Sequence, residues 1–282
     1  MKKFFIGAMA VMMIFYAGCA KSDSPDKPPT FQSGENTQPK DRSESTRLVK
    51  RANEHNDMGN YQEAVADATE AIRLDSQNIA AYNVRAVAYI HLENYNAAVN
   101  DANEAMRLDP KNSAAYNNRG YAHLCLKNND AALEDFNKAL ELDPKNSAAY
   151  NNRGFAHGNL KNYNAALEDF NKAIRLNPKN KYPYEGRGWI YNCLKNYNAA
   201  IEDLNKAIQL DPNYAQAYNY RGVAYAYLEN YNQAVEDFTK AIQNNPNFAL
   251  AYNNRGNCRR TLGDESGAAA DFAKAKELGY NG

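Results

Sequence analysis

Residues 110–123 read Pro-Lys-Asn-Ser-Ala-Ala-Tyr-Asn-Asn-Arg-Gly-Tyr-Ala-His, and residues 144–157 repeat them with one change, in which Phe155 replaces Tyr121. The offset between the two copies is 34 residues. The same register continues without insertion or deletion from residue 45 to residue 282 and divides this stretch into seven units. A fixed period of this length is typical of repeat architectures, in which each unit is one supersecondary element. The sequence therefore predicts a repeat array.

Within one unit the spacing of apolar and small residues is helical. A first helix is indicated by residues at i, i+4 and i+7 and by a closing leucine: Tyr116, Gly120, His123 and Leu126. A second helix is indicated by the same period: Ala132, Phe136, Ala139 and Leu140. Residues 127–129 form the turn, and Pro144 ends the second helix because proline disfavours helical backbone at the residue before it. Each unit is therefore predicted to be a helical hairpin that buries its apolar stripe by stacking on its neighbours.

The unit resembles a known family. The pattern Ala-x-x-Tyr-Asn-Asn-Arg-Gly-x-Ala-His, followed by Tyr163, Ala166, Phe170, Ala173 and Pro178, is similar to the tetratricopeptide repeat. The resemblance covers all seven units, at residues 45–78, 79–112, 113–146, 147–180, 181–214, 215–248 and 249–282. It implies an all-α fold, a right-handed superhelical solenoid of helix-turn-helix repeats whose first helices line a concave groove. It also implies a protein that binds peptides or other proteins.

The start of the chain resembles the signal of a bacterial lipoprotein. Lys2 and Lys3 precede an apolar run over residues 4–17, which has the length of a secretory signal and is short for a membrane span. The tetrapeptide that ends at Cys19 resembles the lipobox, in which the chain is cleaved before the cysteine and the cysteine is acylated. Tyr16 stands where leucine is usual. An ordinary signal peptide with an incidental cysteine is the alternative.

This reading predicts a signal peptide at 1–18, an acylated Cys19 and a flexible linker over 19–44. The linker is rich in Ser, Pro, Lys, Asp and Gln, and such a composition cannot bury enough apolar surface to offset chain entropy. The expected location is the bacterial cell envelope, where the protein is lipid-anchored, at the outer membrane or cell surface in a Gram-negative organism.

The charge balance gives no sign of a nucleic-acid partner. Lys plus Arg and Asp plus Glu both number 33, so the formal net charge is zero. Nor does the sequence bring catalytic or metal-binding side chains together, because like residues recur once per unit and are thereby kept apart. His55, His123 and His157 share one column, and three cysteines besides Cys19 are read as buried thiols. We therefore predict no catalytic site, no metal site and no cofactor.

Two charged columns run through every unit. The first helices carry Arg51, Arg85, Arg119, Arg153, Arg187, Arg221 and Arg255, and the second helices carry Asp67, Asp101, Asp135, Asp169, Asp203, Asp237 and Asp271. An arginine and a carboxylate that recur together are typical of a bidentate pair, here predicted to join the two helices of one hairpin, as in Arg119–Asp135 and Arg153–Asp169. The alternative is a ladder of arginines that faces an acidic ligand.

A polar stripe accompanies the arginines on the first helices. It consists of Asn83, Asn117, Asn151, Asn219 and Asn253, with Glu185 as an interruption, and aromatic residues follow four positions later at Tyr121, Phe155 and Trp189. A carboxamide can donate and accept at once, so a row of them can hold a peptide backbone while the rings anchor side chains. The alternative is that the asparagines are merely a polar helix surface and the rings fill gaps between helices.

The function that fits these features is a membrane-anchored scaffold that binds a peptide segment or a partner protein in the concave groove and has no chemistry of its own. The alternative is a structural or assembly component of a bacterial envelope, secretion or pilus machine. Polar substitutions in the first and last units are typical of capping repeats, so we expect a monomer. The sequence does not name the partner.

Overall fold

The computed structural model describes residues 39–280. This described part of the chain contains fourteen α-helices and no strand. The helices are α1 Pro39–Met58, α2 Tyr61–Leu74, α3 Ile79–His91, α4 Tyr95–Leu108, α5 Ser113–Cys125, α6 Asn129–Leu142, α7 Ser147–Asn159, α8 Tyr163–Leu176, α9 Tyr182–Cys193, α10 Tyr197–Leu210, α11 Ala215–Tyr227, α12 Tyr231–Asn244, α13 Ala249–Thr261 and α14 Glu265–Glu277. The predicted signal peptide, Cys19 and most of the predicted linker lie outside the described residues.

The described chain comprises two compact units, residues 39–149 and 150–280. In the first unit, α1, α3 and α5 each pack against the helix that follows them, and they also pack against one another in sequence. In the second unit, α9, α11 and α13 are packed in the same way. Within each unit, these hairpins thus bury their apolar stripes between the paired helices and against the next first helix. The predicted all-α repeat fold is confirmed.

The first helix begins earlier than the repeat register indicates. The predicted linker ended at residue 44, whereas α1 begins at Pro39. Proline is tolerated in the first turn of a helix, and Asp41 in that turn complements the helix dipole. Ser45 Oγ, which is buried, donates to the carbonyl of Ala71 at 2.8 Å and fixes α1 on α2.

Short capping motifs set the ends of the helices. Asn112 precedes α5, and its Oδ1 accepts from the backbone N–H of Ala115 at 2.9 Å. Between the two helices of a hairpin, Lys127 adopts a positive φ of 63°, and the N–H of Asn128 closes the turn on the carbonyl of His123 at 2.9 Å. The same left-handed position is held by Glu93, Lys161, Lys195 and Glu229. These local signals recur every 34 residues, which explains why the register is unbroken.

Glycines in the first helices allow the two helices of a hairpin to approach closely. A Cβ atom at Gly120 would lie 2.8 Å from Cε1 of Phe136, and one at Gly154 would lie 2.8 Å from Cε1 of Phe170. Both rings are fully buried. Gly222 and Gly256 face Phe238 and Phe272 in the same way. The cost of a helical glycine, about 1 kcal/mol, is therefore offset by the burial of a large ring.

None of the helices described is both long enough and apolar enough to cross a membrane.

Candidate binding surface on the first helices

Every repeat contains a bidentate pair between an arginine of the first helix and an aspartate of the second. Arg119 donates from Nε to Asp135 Oδ2 at 2.9 Å and from Nη2 to Oδ1 at 2.6 Å. Arg153 binds Asp169 in the same way at 2.8 and 2.7 Å. The other pairs are Arg51–Asp67, Arg85–Asp101, Arg187–Asp203, Arg221–Asp237 and Arg255–Asp271. We call these seven pairs the Arg–Asp clamps.

The pKa values of the aspartates in the clamps shift in different directions because the aspartates are buried to different degrees. The hydrogen bond from Arg51 lowers the pKa of Asp67, which belongs to the first and most exposed clamp. Burial raises the pKa of Asp101 and of Asp237, although their arginines oppose this effect. A carboxylate at such a position requires its guanidinium partner, because an unpaired buried charge is strongly destabilising.

Most of the clamps also reach a third helix, the second helix of the preceding repeat. Arg119 Nη1 donates to Asn103 Oδ1 at 2.7 Å, and Arg221 Nη1 donates to Asn205 Oδ1 at 2.6 Å. The corresponding bonds elsewhere are Arg85 to Thr69, Arg187 to Asn171 and Arg255 to Thr239. The guanidinium donors are thus engaged within the chain, which disfavours the alternative of an arginine ladder that faces an acidic ligand.

Sequence reasoning missed this third contact, although a signal for it exists. The column 16 residues before each arginine holds threonine or asparagine in every repeat where the bond forms. Both residue types offer a side-chain oxygen that can accept from a guanidinium. We predicted that each clamp joins the two helices of one hairpin. In most repeats the same arginine also joins that hairpin to the second helix of the preceding repeat.

The histidine and cysteine columns form no metal centre in the part of the chain that the structure describes. His55 and His157 lie beside the aspartates of their own clamps, with Nε2 at 3.7 and 4.0 Å from a carboxylate oxygen. Cys125 and Cys193 are half-buried and Cys258 is buried, and none of the three forms a disulfide within residues 39–280. Burial raises the pKa of Cys258 to about 12. This thiol therefore stays protonated at neutral pH.

The predicted asparagine and aromatic stripe divides into two sets by exposure. The half-buried set is Asn83, Asn117, Tyr121 and Asn253, and the buried set is Asn151, Phe155, Trp189 and Asn219. In the first unit, Asn83 and Asn117 occupy the same position on the adjacent helices α3 and α5, and Val87 and Tyr121 follow one turn later. We call Asn83, Val87, Asn117 and Tyr121, which are all half-buried, the first-helix surface.

Phe155 and Trp189 were expected to anchor a ligand, but both rings lie in the core. Phe155 packs edge-on to Phe170, with ring centroids 5.0 Å apart, and stacks on Trp189 at 6.2 Å. Trp189 is 1% exposed. A Cβ atom at Gly158 would lie 2.6 Å from Cη2 of Trp189, so the absence of a side chain at this glycine admits the indole. These rings fill gaps between helices, which was the alternative interpretation.

Asn151 and Asn219 were also expected to be exposed, and the structure buries both of them. Asn151 Nδ2 donates to Asn152 Oδ1 at 3.2 Å, within its own helix. Asn219 Oδ1 accepts from Asn254 Nδ2 at 3.1 Å and thereby joins α11 to α13. Buried amides of this kind need internal partners, because an unpaired one costs about 1–3 kcal/mol. Asn219 thus serves packing between two first helices, and neither of the two side chains faces solvent.

Two of the half-buried asparagines have hydrogen-bond partners near the end of their own repeat. Asn83 Nδ2 donates to Asn112 Oδ1 at 3.3 Å, and Asn253 Nδ2 donates to the hydroxyl of Tyr280 at 3.3 Å. A further carboxamide, Asn192, which lies outside the predicted stripe, donates to a carbonyl of the next first helix at 2.9 Å. Asparagine on the first helices thus has a structural role in both units.

Glu185 takes the place of asparagine in the stripe and is 5% exposed. It accepts a hydrogen bond of 2.6 Å from the hydroxyl of Tyr214 on Oε2. Burial raises the pKa of Glu185 to about 7, against the lowering effects of Tyr214 and Lys181. In the sequence this residue stands out only as an interruption, whereas the structure shows a buried carboxyl that is bound by a tyrosine hydroxyl.

Family models described as tetratricopeptide repeat match residues 113–146, 147–180, 215–248 and 49–112, and a model described as TPR repeat matches residues 188–228. Together these matches cover more than half of the chain. No curated protein shows significant similarity to the sequence.

Several solved structures share the fold. A tetratricopeptide repeat protein from Parabacteroides merdae aligns with a TM-score of 0.63 at 24% identity, over 85% of this chain and 94% of that chain. PilF from Pseudomonas aeruginosa aligns with a TM-score of 0.62 at 18% identity, over 75% of this chain and 96% of that chain. The APC/C hetero-tetramer Cut9–Hcn1 aligns with a TM-score of 0.72 at 14% identity, over 86% of this chain and 51% of that chain.

Proposed function

We propose that this chain, which belongs to the tetratricopeptide repeat family, is a membrane-tethered scaffold that binds a segment of a partner protein on its first-helix surface. Proteins of the family bind peptide or protein partners and generally lack catalysis of their own. The partner of this chain is proposed to be a peptide segment or a protein, and not a nucleic acid.

The observation that carries the proposal is the half-buried state of the first-helix surface. Asn83 and Asn117 lie at matching positions on two helices that pack side by side, and Val87 and Tyr121 lie one turn further on. A carboxamide can accept from a backbone N–H and donate to a carbonyl, so two such groups can hold an extended chain. Asn83 would exchange its hydrogen bond with Asn112 for one to the partner's backbone. A half-exposed tyrosine next to them offers an apolar ring and a hydroxyl for one side chain of the partner.

The proposed surface is smaller than the stripe predicted from the sequence. Phe155, Trp189, Asn151 and Asn219 are buried, so they cannot contribute contacts without a rearrangement of the helices. Asn253 remains half-buried in the second unit, where it contacts Tyr280. We therefore assign the main contacts to the first unit, on α3 and α5.

The tether is proposed from the start of the sequence, which lies outside the described residues. The basic residues, the apolar run and Cys19 together support acylation at this cysteine. Two or more acyl chains hold a protein stably on a bilayer, since each buried methylene contributes about 0.8 kcal/mol. The protein is accordingly proposed to act at the surface of a membrane of a bacterial cell envelope, as a monomer.

Site-specific photo-cross-linking in the native cells tests the binding surface. A benzophenone side chain is placed at Tyr121, and a matched control is placed at Glu134, an exposed residue on the second helix of the same repeat. The proposal expects a defined protein adduct from position 121 and none from position 134. The adduct from position 121 is expected to weaken when Asn83 and Asn117 are both changed to alanine.

A second candidate function is a structural part of an envelope assembly. One observation favours it, which is a row of exposed leucines at the ends of first helices in the second unit. Leu194, Leu228 and Leu262 are 44%, 37% and 46% exposed, and they recur at the repeat period. Benzophenone at Leu228 separates the two functions. An adduct from position 228 without one from position 121 would replace the scaffold proposal with the assembly.

A further inference from the structure

The first helix of repeat 5 departs from the pattern of the other repeats. Repeats 3 and 4 begin this helix with Ser-Ala-Ala-Tyr-Asn-Asn, whereas repeat 5 has Lys181-Tyr-Pro-Tyr-Glu-Gly at the same positions. The other repeats therefore show which residues are sufficient for the fold at these positions. Glu185 stands where five repeats have asparagine. A buried carboxyl in place of a neutral amide is not needed for the fold, so its chemistry is the feature to explain.

The partner of Glu185 is also specific to this place. Glu185 Oε2 accepts from the hydroxyl of Tyr214, which directly precedes α11. Asn83 contacts Asn112, which precedes α5, over the same separation of 29 residues. One contact between adjacent first helices is thus made by two amides, and the other by a carboxyl and a phenol. Only the second pair contains a group that can ionise near neutral pH.

The cation that lowers the pKa of Glu185, Lys181, is bound to a different carboxylate. Lys181 Nζ lies 2.5 Å from Asp211 Oδ2 and 4.3 Å from the centroid of the Tyr214 ring. Lys181 precedes α9, and Asp211 ends α10, so this ion pair ties the start of repeat 5 to the segment that leads into repeat 6. Glu185 itself forms no ion pair within residues 39–280.

The groups that face Glu185 are few. Lys181 lies four residues before it, directly before the start of α9, and Tyr214 and Tyr220 face it from the side of α11. Burial and the charge of Glu185 both raise the pKa of Tyr220, so this phenol stays neutral. No charged group of α8 or α10 contributes to the pKa of Glu185. The carboxyl therefore has one neutral donor and one cation that is already paired elsewhere.

We propose that Glu185 is a proton-controlled switch within repeat 5, in which loss of its proton draws Lys181 from Asp211 and loosens the start of α9 from the segment that connects α10 to α11. When the carboxyl is neutral, it needs no counter-ion, and Lys181 remains bound to Asp211. When it is ionised, the desolvated carboxylate competes for the ammonium group four residues earlier in the chain. The tie between the start of α9 and the segment that connects α10 to α11 then weakens.

The direction of the pH effect follows from proton linkage. The pKa of Glu185 is about 7 in the folded chain and about 4.5 in the unfolded chain. The folded state therefore binds more protons between these two values, and its stability falls as the pH rises through this interval. The stabilisation from Glu185 is fully present below about pH 4.5 and is lost above about pH 7.

Hydrogen exchange of the full chain tests the switch, with the wild type compared with Glu185→Gln at each pH so that intrinsic exchange rates cancel. The opening constants of α9 and α11 should be similar in the two proteins at about pH 4. At about pH 8 the wild type should open on the order of a hundredfold more often, because each unit of pKa difference corresponds to a factor of ten. Glu202→Gln, at an exposed carboxyl of α10, is the matched control and should leave the wild-type profile unchanged.

A direct titration keeps the proposal testable if the variants fold poorly. The carboxyl ¹³C resonance of Glu185 in the wild-type chain should titrate with a midpoint near 7. Lys181→Gln should raise that midpoint because it removes the cation that lowers the pKa of Glu185 within residues 39–280. A midpoint near the ordinary value for glutamate would overturn the proposal. An unchanged midpoint in Lys181→Gln, or equal exchange in the wild type and Glu185→Gln at both pH values, would overturn it as well.

Discussion

Arg221 Nη1 donates a hydrogen bond of 2.6 Å to Oδ1 of Asn205, which lies on the second helix of the preceding repeat. The same guanidinium donates from Nε and Nη2 to the carboxylate of Asp237, on the second helix of its own repeat. One arginine therefore holds α10, α11 and α12 together. The planar group with five donors is suited to this geometry, and a lysine could not reproduce it.

The bond to Asn205 should contribute to coupling between repeats. Asn205→Ala is expected to lower the free energy of unfolding by roughly 1 kcal/mol, because a hydrogen bond to a charged group is lost at a partly exposed position. Asn198→Ala is the control, since Asn198 is an exposed asparagine of the same helix without such a bond. Urea unfolding of both variants measures the difference, and equal stabilities would show that the bond contributes nothing.

The clamp of repeat 4 provides a second prediction. Asp169 is buried, and its side chain is bound by two donors of Arg153. Arg153→Ala should destabilise the chain by about 3–5 kcal/mol, since it leaves a buried charge without a partner.

The double variant tests whether the two residues act as a pair. Arg153→Ala combined with Asp169→Ala should cost less than the sum of the two single changes, by about 1–3 kcal/mol. Urea unfolding of the four proteins completes the cycle. Additive effects would mean that the two side chains do not interact in solution.

The helices were predictable from the sequence because their signals are local and recur in every repeat. The asparagine cap at Asn112, the turn at Lys127 and the helix end before Pro144 each depend on residues close in the chain. The start of α1 at Pro39 was not predicted. It precedes the repeat register, and the polar residues between 39 and 44 show no apolar period.

The exposure of the stripe was less predictable, because it depends on which residue lies across from each position. Tyr121 and Phe155 share one column, yet the first is half-buried and the second is buried. The difference lies in the neighbouring repeat, where Gly186 leaves room beside the Phe155 ring. A Cβ at Gly186 would lie 3.0 Å from Cε1 of Phe155. The periodicity of a single helix does not reveal such a contact. A glycine in place of the residue that other repeats have at that position, such as Gly186, does indicate space for a ring from the neighbouring helix.

The packing of Trp189 against Gly158 leads to a third prediction. Gly158→Ala would normally stabilise a helix by up to about 1 kcal/mol, but here the new methyl group overlaps the indole. We expect a net loss of about 1–3 kcal/mol, as is usual for overpacked cores. Combining it with Trp189→Phe, the residue type that repeat 4 has in this column, should recover part of the loss. Thermal unfolding of Gly158→Ala, Trp189→Phe and the double variant measures these effects, and a Gly158→Ala variant more stable than the wild type would contradict the tight contact.

The last prediction concerns the proposed membrane tether, which depends on Cys19. An acylated cysteine should place the protein in the membrane fraction and incorporate labelled palmitate, because the buried acyl chains supply most of the membrane affinity. Cys19→Ala should abolish the label and move nearly all of the protein to the soluble fraction. Cys193→Ala is the matched control, since this half-buried thiol of α9 lies within the repeats. Palmitate incorporation that survives Cys19→Ala, or that is lost with Cys193→Ala, would show that the lipid is attached elsewhere and would leave the first-helix surface without its proposed anchor.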